Sequence, residues 1–150
     1  MIQTSELKKY ALFGGLLDEQ LEGIITLMER EEFSPGEIII YKGQSNDKIF
    51  FIIEGRVAVM KDDVVITHLT EGLTFGEMEV LDVMPAEAAI KADSSVTVLS
   101  ISNQSLHKIY NMDTKVFSLL LMNLARDLSR RLRLMDEKYT SSSFFLQSQE

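Results

Sequence analysis

Frequent turns between Ser34 and Ser102 limit this chain's folds more than any other feature. Ser34-Pro35-Gly36 is a strong turn signal, and after it short apolar runs alternate with turn clusters. Ile38-Ile39-Ile40-Tyr41 precedes Gly43-Gln44-Ser45-Asn46-Asp47, Ile49 to Ile53 precedes Glu54-Gly55, and Val57 to Met60 precedes Asp62-Asp63 and Val64 to Leu69. Glu87 to Ala92 and Ser95 to Ile101 read as a closing strand pair joined at Asp93-Ser94. β-branched runs this short, punctuated roughly every 8–12 residues, predict an antiparallel sandwich or barrel.

Helical periodicity flanks that body. Ser5 can cap a short helix over residues 5–12, which Phe13-Gly14-Gly15 interrupts. Asp18 can cap a second helix through about Glu31, with Leu21, Ile24, Ile25 and Met28 on one face. Ser102 or Asn103 starts a short helix to about Tyr110, and Asp113 or Thr114 caps the longest helix, to about Tyr139. Phe117, Leu121, Leu124, Leu128, Leu132 and Met135 form its apolar stripe, widened by Leu119, Leu120 and Met122. Part of the stripe must pack on the β body. The half around Leu128 to Met135 extends past what one small body covers, and parallel pairing with the same helix of a second subunit would bury it. A homodimer is therefore expected, with an intrachain fold-back as the alternative. Residues 140–150 are Ser- and Gln-rich and read as a flexible tail, with Phe144-Phe145-Leu146 a docking tag or part of a disordered end. No linker precedes Thr140, so residues 1–139 read as one domain.

Composition removes several function classes. Residues 114–138 carry six basic and three acidic side chains, whereas residues 1–113 carry nine basic and 19 acidic ones, within an overall charge of −8. That balance argues against a nucleic-acid-binding surface over the whole body. The basic segment reads as the solvated face of the long helix, or as a docking surface for an acidic partner. Without Cys there are no disulfides, thiolate metal sites or Cys nucleophiles. His68 and His107 lie far apart, so no metal site is expected. No nucleophile elbow, phosphate loop or dinucleotide fingerprint is present. Glu71, Glu77, Glu79 and Asp82 are not placed across a scissile bond, so no catalytic residue is assigned and no enzyme is expected. No apolar run approaches membrane-spanning length and no signal-peptide core is seen, so a cytoplasmic protein without membrane contact is expected.

The segment from Phe75 to Ala92 carries the functional signal. Gly76 before a short helical turn exposes backbone N–H groups, a ready anion site, and Glu77 can accept hydrogen bonds from sugar hydroxyls; from these residues alone a purely structural turn is the alternative. Ser34-Pro35-Gly36-Glu37-Ile38-Ile39, Gly43, Phe50-Phe51-Ile52-Ile53-Glu54-Gly55-Arg56-Val57, Gly72, Phe75-Gly76-Glu77 and Pro85 to Ala92 together resemble the cyclic-nucleotide-binding domain family. The likeness spans about residues 12 to 139. The final helix is similar to that of bacterial catabolite-activator-type regulators, with Arg130 to Lys138 like the part that reaches the bound base.

The resemblance implies a mainly β fold with flanking helices: an antiparallel jelly-roll barrel over about residues 33–102 and a C-terminal dimer-type helix over about 113–139. It implies a cyclic nucleotide, cAMP or cGMP, in a phosphate-binding cassette. Phe75 opens that cassette, Gly76 offers backbone N–H, Glu77 accepts the ribose 2′-hydroxyl and Met78 lies near the sugar. Ala86 falls where the family has the Arg that pairs with the cyclic phosphate, Glu87 where a small residue sits, and Ala88 follows. Met135 and Asp136 fall where the regulators present polar groups to the base.

Two of these positions change the chemistry. A cyclic phosphate is a monoanion, and burying it without a cation is costly; a bidentate Arg supplies charge and planar geometry, and Ala86 supplies neither. Glu87 adds like charge, worth about 4 kcal/mol of repulsion at about 4 Å and an effective dielectric near 20. Lys91, five residues on, does not obviously substitute. Weak or absent binding of cAMP and cGMP is expected. Glu87 would then serve a neutral or cationic ligand, or the pocket is closed by its own side chains, Met84 among them. Only 11 residues follow Tyr139, too few for a helix-turn-helix module, so direct DNA binding is not expected. The expected role is a stand-alone regulatory small-molecule-binding module; the alternative is an interaction or scaffold protein whose pocket is non-binding.

Overall fold

A computed structural model describes the backbone of residues 2–148 and the side chains of residues 2–140. Helix α1 (Thr4–Leu7) and a 3-10 turn (Ala11–Phe13) lead into α2 (Asp18–Ile25). Strands β1 (Glu29–Phe33), β2 (Ile38–Ile40), β3 (Lys48–Glu54), β4 (Arg56–Lys61), β5 (Val64–Thr70) and β6 (Thr74–Phe75) follow, then α3 (Glu77–Asp82), β7 (Ala89–Ala92), β8 (Val96–Ser102), α4 (Asn103–Met112) and α5 (Thr114–Ser148).

The strands form two four-stranded sheets, in the orders β1-β8-β3-β6 and β2-β7-β4-β5. All pairs are antiparallel. This is a jelly-roll-like sandwich rather than a closed barrel. Inner faces of both sheets bury Phe50, Ile52, Val57, Phe75, Ile90, Val96 and Val98 between them. The outer face of the first sheet gives Ile49, Phe51, Leu99 and Ile101 to a second cluster with Leu7, Phe13, Leu21, Ile24, Ile109, Val116, Leu120 and Leu124. Strands β3 and β8 are thus covered on both faces, which explains the unbroken apolar run of Ile49 to Ile53 in β3 and the burial of every residue from Val96 to Ile101 in β8.

Several sequence expectations change: the first helix covers only Thr4–Leu7, with Gln3 and not Ser5 at its N-cap. The second helix ends at Ile25, not about Glu31, because Glu29 to Phe33 pair with Ser100 to Val96 as β1. Pairing with β8 overrides the weak strand propensity of a charged segment. Its N-cap falls on Leu17, one residue before Asp18, and the Gln20 side-chain oxygen accepts the Leu17 N–H at 2.9 Å. Strands β7 and β8 do not pair with each other: β7 joins β2 and β4, and β8 joins β1 and β3. The chain changes sheets at Asp93 to Ser95, as it does at Gly55, where a Cβ would stand 2.2 Å from the Ser95 carbonyl oxygen. Strands β4 and β5 do form a hairpin, turned by Asp62 and Asp63 in left-handed conformations.

Helix α5 has 35 residues, about 52 Å at ~1.5 Å per residue, and passes the expected end at Tyr139. The Phe144-Phe145-Leu146 docking tag concerns side chains outside the described residues. Asn123, buried on α5, donates to the carbonyls of Leu12 (3.0 Å) and Gly14 (2.9 Å), fixing the helix to the 3-10 turn. Further out the stripe is bare: Leu132 is 62% exposed and Met135 61%.

Candidate ligand site

The site begins where β6 gives way to α3. Gly76 adopts φ +83° there, and a Cβ on it would meet the Lys48 carbonyl oxygen at 2.6 Å. No L side chain fits that turn without backbone movement. Asn46 fixes its position: Nδ2 donates to the carbonyls of Lys48 (2.7 Å) and Gly76 (3.1 Å), while Oδ1 accepts the Lys48 N–H (3.2 Å). The same β2–β3 loop holds the segment's far end, since Ala86 N–H donates to Gln44 O (3.0 Å) and Gly43 N–H to Ala86 O (2.8 Å). One loop therefore sets both ends of the cassette. Between them Val83 holds φ +56°, an unfavourable state for a β-branched residue.

Glu77 opens α3 and is only 4% exposed. Burial pushes its carboxyl pKa up, and the charge of Arg131 pulls it part of the way back. Arg131 comes from α5, 54 residues later in sequence. Its Nη1 donates to Glu77 Oε1 at 3.1 Å, and its Nη2 donates to Thr74 O at 2.7 Å and Thr74 Oγ1 at 3.1 Å. Asp127 Oδ2 lies 2.7 Å from Nη2, one helical turn back, without hydrogen-bond alignment. The cluster holds two carboxylates and one guanidinium.

The Ala86 end differs. Ala86 is buried in the inter-sheet cluster with Phe50 and Phe75, whose rings stack at 4.8 Å with 9° between planes. Glu87 is exposed, so water screens its charge and the repulsion expected at about 4 Å is much reduced. Lys91 alternates with inward-facing Ile90 and Ala92 and pairs in register with Ala58 and Ile38, so it stands on the sheet's outer face. Lys42 pairs with Asp62 at 2.6 Å, and Lys48 lies 3.7 Å from Glu31 and 3.8 Å from Glu29.

The structure gathers Phe75, Gly76, Glu77 and Ala86 around the cassette. Ala88 is half-buried beside them, while Met78, Met135 and Asp136 face solvent. Sequence reasoning missed Asn46, Thr74, Asp127 and the inward turn of Arg131. Arg131 is not the solvated side chain that the helix's basic face suggested. The Asp127–Arg131 spacing of one turn did not single it out, because Asp127–Arg130 and Arg133–Glu137 are spaced for the same kind of pair.

Residues 30–113, which hold the left-handed Gly76 and the buried Glu77, fit the family described as cyclic nucleotide-binding domain. The chain belongs to the cyclic nucleotide-binding domain family. It is 24% identical over 137 residues to cGMP-dependent protein kinase 2 of Mus musculus, covering 91% of this chain and 18% of that protein. The chain thus spans under a fifth of that relative. A cyclic nucleotide-binding domain from Methylobacillus flagellatus KT superimposes with a TM-score of 0.82 at 23% identity, covering 89% of this chain and 78% of that one. Thermus thermophilus Catabolite Activator Protein superimposes with a TM-score of 0.75 at 25% identity, covering 89% and 63%. Among the described residues no helix of the domain is long and apolar enough to cross a membrane, and no group of three or more acidic or His side chains is placed to hold a metal.

Proposed function

We propose that this cyclic nucleotide-binding domain is a regulatory, non-catalytic module that couples a ligand in its cassette to α5 and binds cAMP and cGMP weakly. The observation that carries the reading is the Arg131–Glu77 contact beside a cassette whose other end presents Ala86. Ligand groups that engage Glu77 or Thr74 must share or displace Arg131. Displacing it frees α5 from the β6–α3 junction, and a ligand shifts the helix by as much as its affinity differs between the two arrangements. The same contact argues against an anionic messenger. The guanidinium already faces two carboxylates, so a cyclic phosphate would enter a site with an excess of negative charge and no dedicated cation.

The bare stripe of Leu132, Met135 and Tyr139 supports pairing of α5 with a second copy, which would join two cassettes through one helix pair. A scaffold role is the second reading, favoured by the exposed Met78, Leu81, Val83 and Met84 on the cassette surface. Calorimetric titration with cAMP and cGMP tests the first reading. Dissociation constants of about 1 mM or weaker are expected; micromolar or tighter binding of either nucleotide would contradict it.

A further inference from the structure

The hydrogen-bonding capacity left open at the cassette has a definite chemical character. Glu77 Oε2, Asp127 Oδ2 and Arg131 Nε are buried without a hydrogen-bond partner. They lie in one cluster, linked through the contacts of Arg131 with Glu77 at 3.1 Å and Asp127 at 2.7 Å. Two are acceptors and one is a donor. Buried groups of this kind are normally satisfied, and each one left bare costs about 1–3 kcal/mol.

A ligand that completes this set must donate and accept within one short stretch. A phosphate or carboxylate only accepts: it can satisfy Arg131 but adds a third negative charge next to Glu77 and Asp127. An ammonium only donates: it can satisfy the carboxylates but leaves Arg131 Nε bare and sets a cation against the guanidinium. A hydroxyl does both and brings no charge. Two neighbouring hydroxyls can donate to the carboxylate oxygens while one accepts from the guanidinium. At the other end, Ala86 and the Phe50–Phe75 stack offer an apolar surface and no cation. The mouth of the site is Arg131 itself, whose side chain is 23% exposed while that of Glu77 is 5% exposed.

We infer that the cassette takes an uncharged polyol, a ligand with vicinal hydroxyls and no phosphate. This rests on the reading that the cassette is a ligand site, and it names the class of molecule that site takes.

Matched probes separate the charge from the hydroxyls. Adenosine and 5′-AMP share the base and the 2′,3′-hydroxyl pair and differ in the phosphate, 2′,3′-dideoxyadenosine keeps the base without the vicinal pair, and cAMP both carries the charge and ties up the 3′-hydroxyl. Ribose and myo-inositol test hydroxyls alone. In calorimetric titrations of the purified chain, adenosine is expected to bind at least about tenfold tighter than 5′-AMP or cAMP, and dideoxyadenosine at least about tenfold weaker than adenosine. Glu77→Gln is expected to lower adenosine affinity by a similar factor, with circular dichroism confirming that the variant is folded; the wild-type comparison with dideoxyadenosine stands without it. If adenosine, ribose and myo-inositol all fail to give saturable heat up to about 10 mM, the inference is overturned while the weak-cAMP reading stands. Equal binding of adenosine and dideoxyadenosine also overturns it. Tighter binding of 5′-AMP or cAMP than of adenosine overturns it, and a micromolar cAMP dissociation constant overturns the weak-cAMP reading as well.

Discussion

The two ends of the cassette are held by the same loop and have opposite chemistry. At the Gly76 end, Asn46 fixes the backbone and a buried Glu77 meets Arg131. At the Ala86 end, Gln44 and Gly43 fix the backbone equally well, and the side chain that follows is a methyl group in an apolar cluster. Backbone geometry is therefore not what distinguishes them. The difference lies in charge: one end buries Glu77 against Arg131 and Asp127, and the other buries Ala86 with only the solvent-exposed Glu87 beside it. On the proposed reading, the fold keeps the shape of an anion site without the cation that would hold the anion.

The largest effect should come from disturbing the pinned end. Gly76→Ala places a Cβ 2.6 Å from a backbone oxygen at φ +83°, and a loss of about 3 kcal/mol in unfolding free energy is expected by urea titration. A loss under about 0.5 kcal/mol would mean that the turn is not rigidly held. Arg131→Gln comes next. It leaves Glu77 buried without its cation, and because Arg131 is partly exposed the expected loss is discounted to about 2 kcal/mol. A thermal-melt series should show this loss together with greater protease sensitivity of α5 beyond Asp127.

Glu77→Gln sharpens the comparison through pH. Burial raises the Glu77 carboxyl pKa above its ordinary value, so the folded state holds that proton more tightly than the unfolded chain. Stability from this group is full below the ordinary carboxylate range and is lost as pH rises through the raised value. The glutamine variant does not titrate. Its melting temperature relative to wild type should therefore climb from about pH 4 to pH 8; a difference that is flat or falls with pH would show that Arg131 outweighs burial. The smallest effect on the folded monomer is expected for Leu132→Ser with Met135→Ser, both in solvent. Monomer stability should change by less than about 0.5 kcal/mol, while self-association measured by sedimentation weakens about tenfold or more if α5 pairs with a second copy.

Most of the sandwich was legible because its strands are short, β-branched and bounded by Gly, Pro and Asp. β1 was not, since Glu29-Arg30-Glu31-Glu32 has no strand pattern and becomes one only by pairing with β8. The assignment of β7 and β8 to different sheets was also hidden, because a two-residue connection looks the same whether a chain turns back or crosses over. At the site, the turn at Gly76 before a short helix was legible from residue order, whereas Glu77 as a ligand group came only from the resemblance. Arg131 was not, because an Arg that turns inward and one that stays in water share the same helical spacing. The exposure of Glu87 depends on which way a loop residue points after Pro85, and alternation alone does not set that in a segment without regular structure.

The central claim is that a cation missing at position 86, not a lost fold, weakens the cyclic phosphate site. Titrating cAMP into wild type and Ala86→Arg side by side tests it most directly. With Glu87 in solvent, the single substitution should suffice, and adding Glu87→Ser should change affinity less than about threefold. The account predicts wild-type binding at about 1 mM or weaker and a gain of at least about 100-fold, near 2.7 kcal/mol, in a folded Ala86→Arg variant. Micromolar binding by wild type, or a folded Ala86→Arg protein that gains nothing, would contradict it.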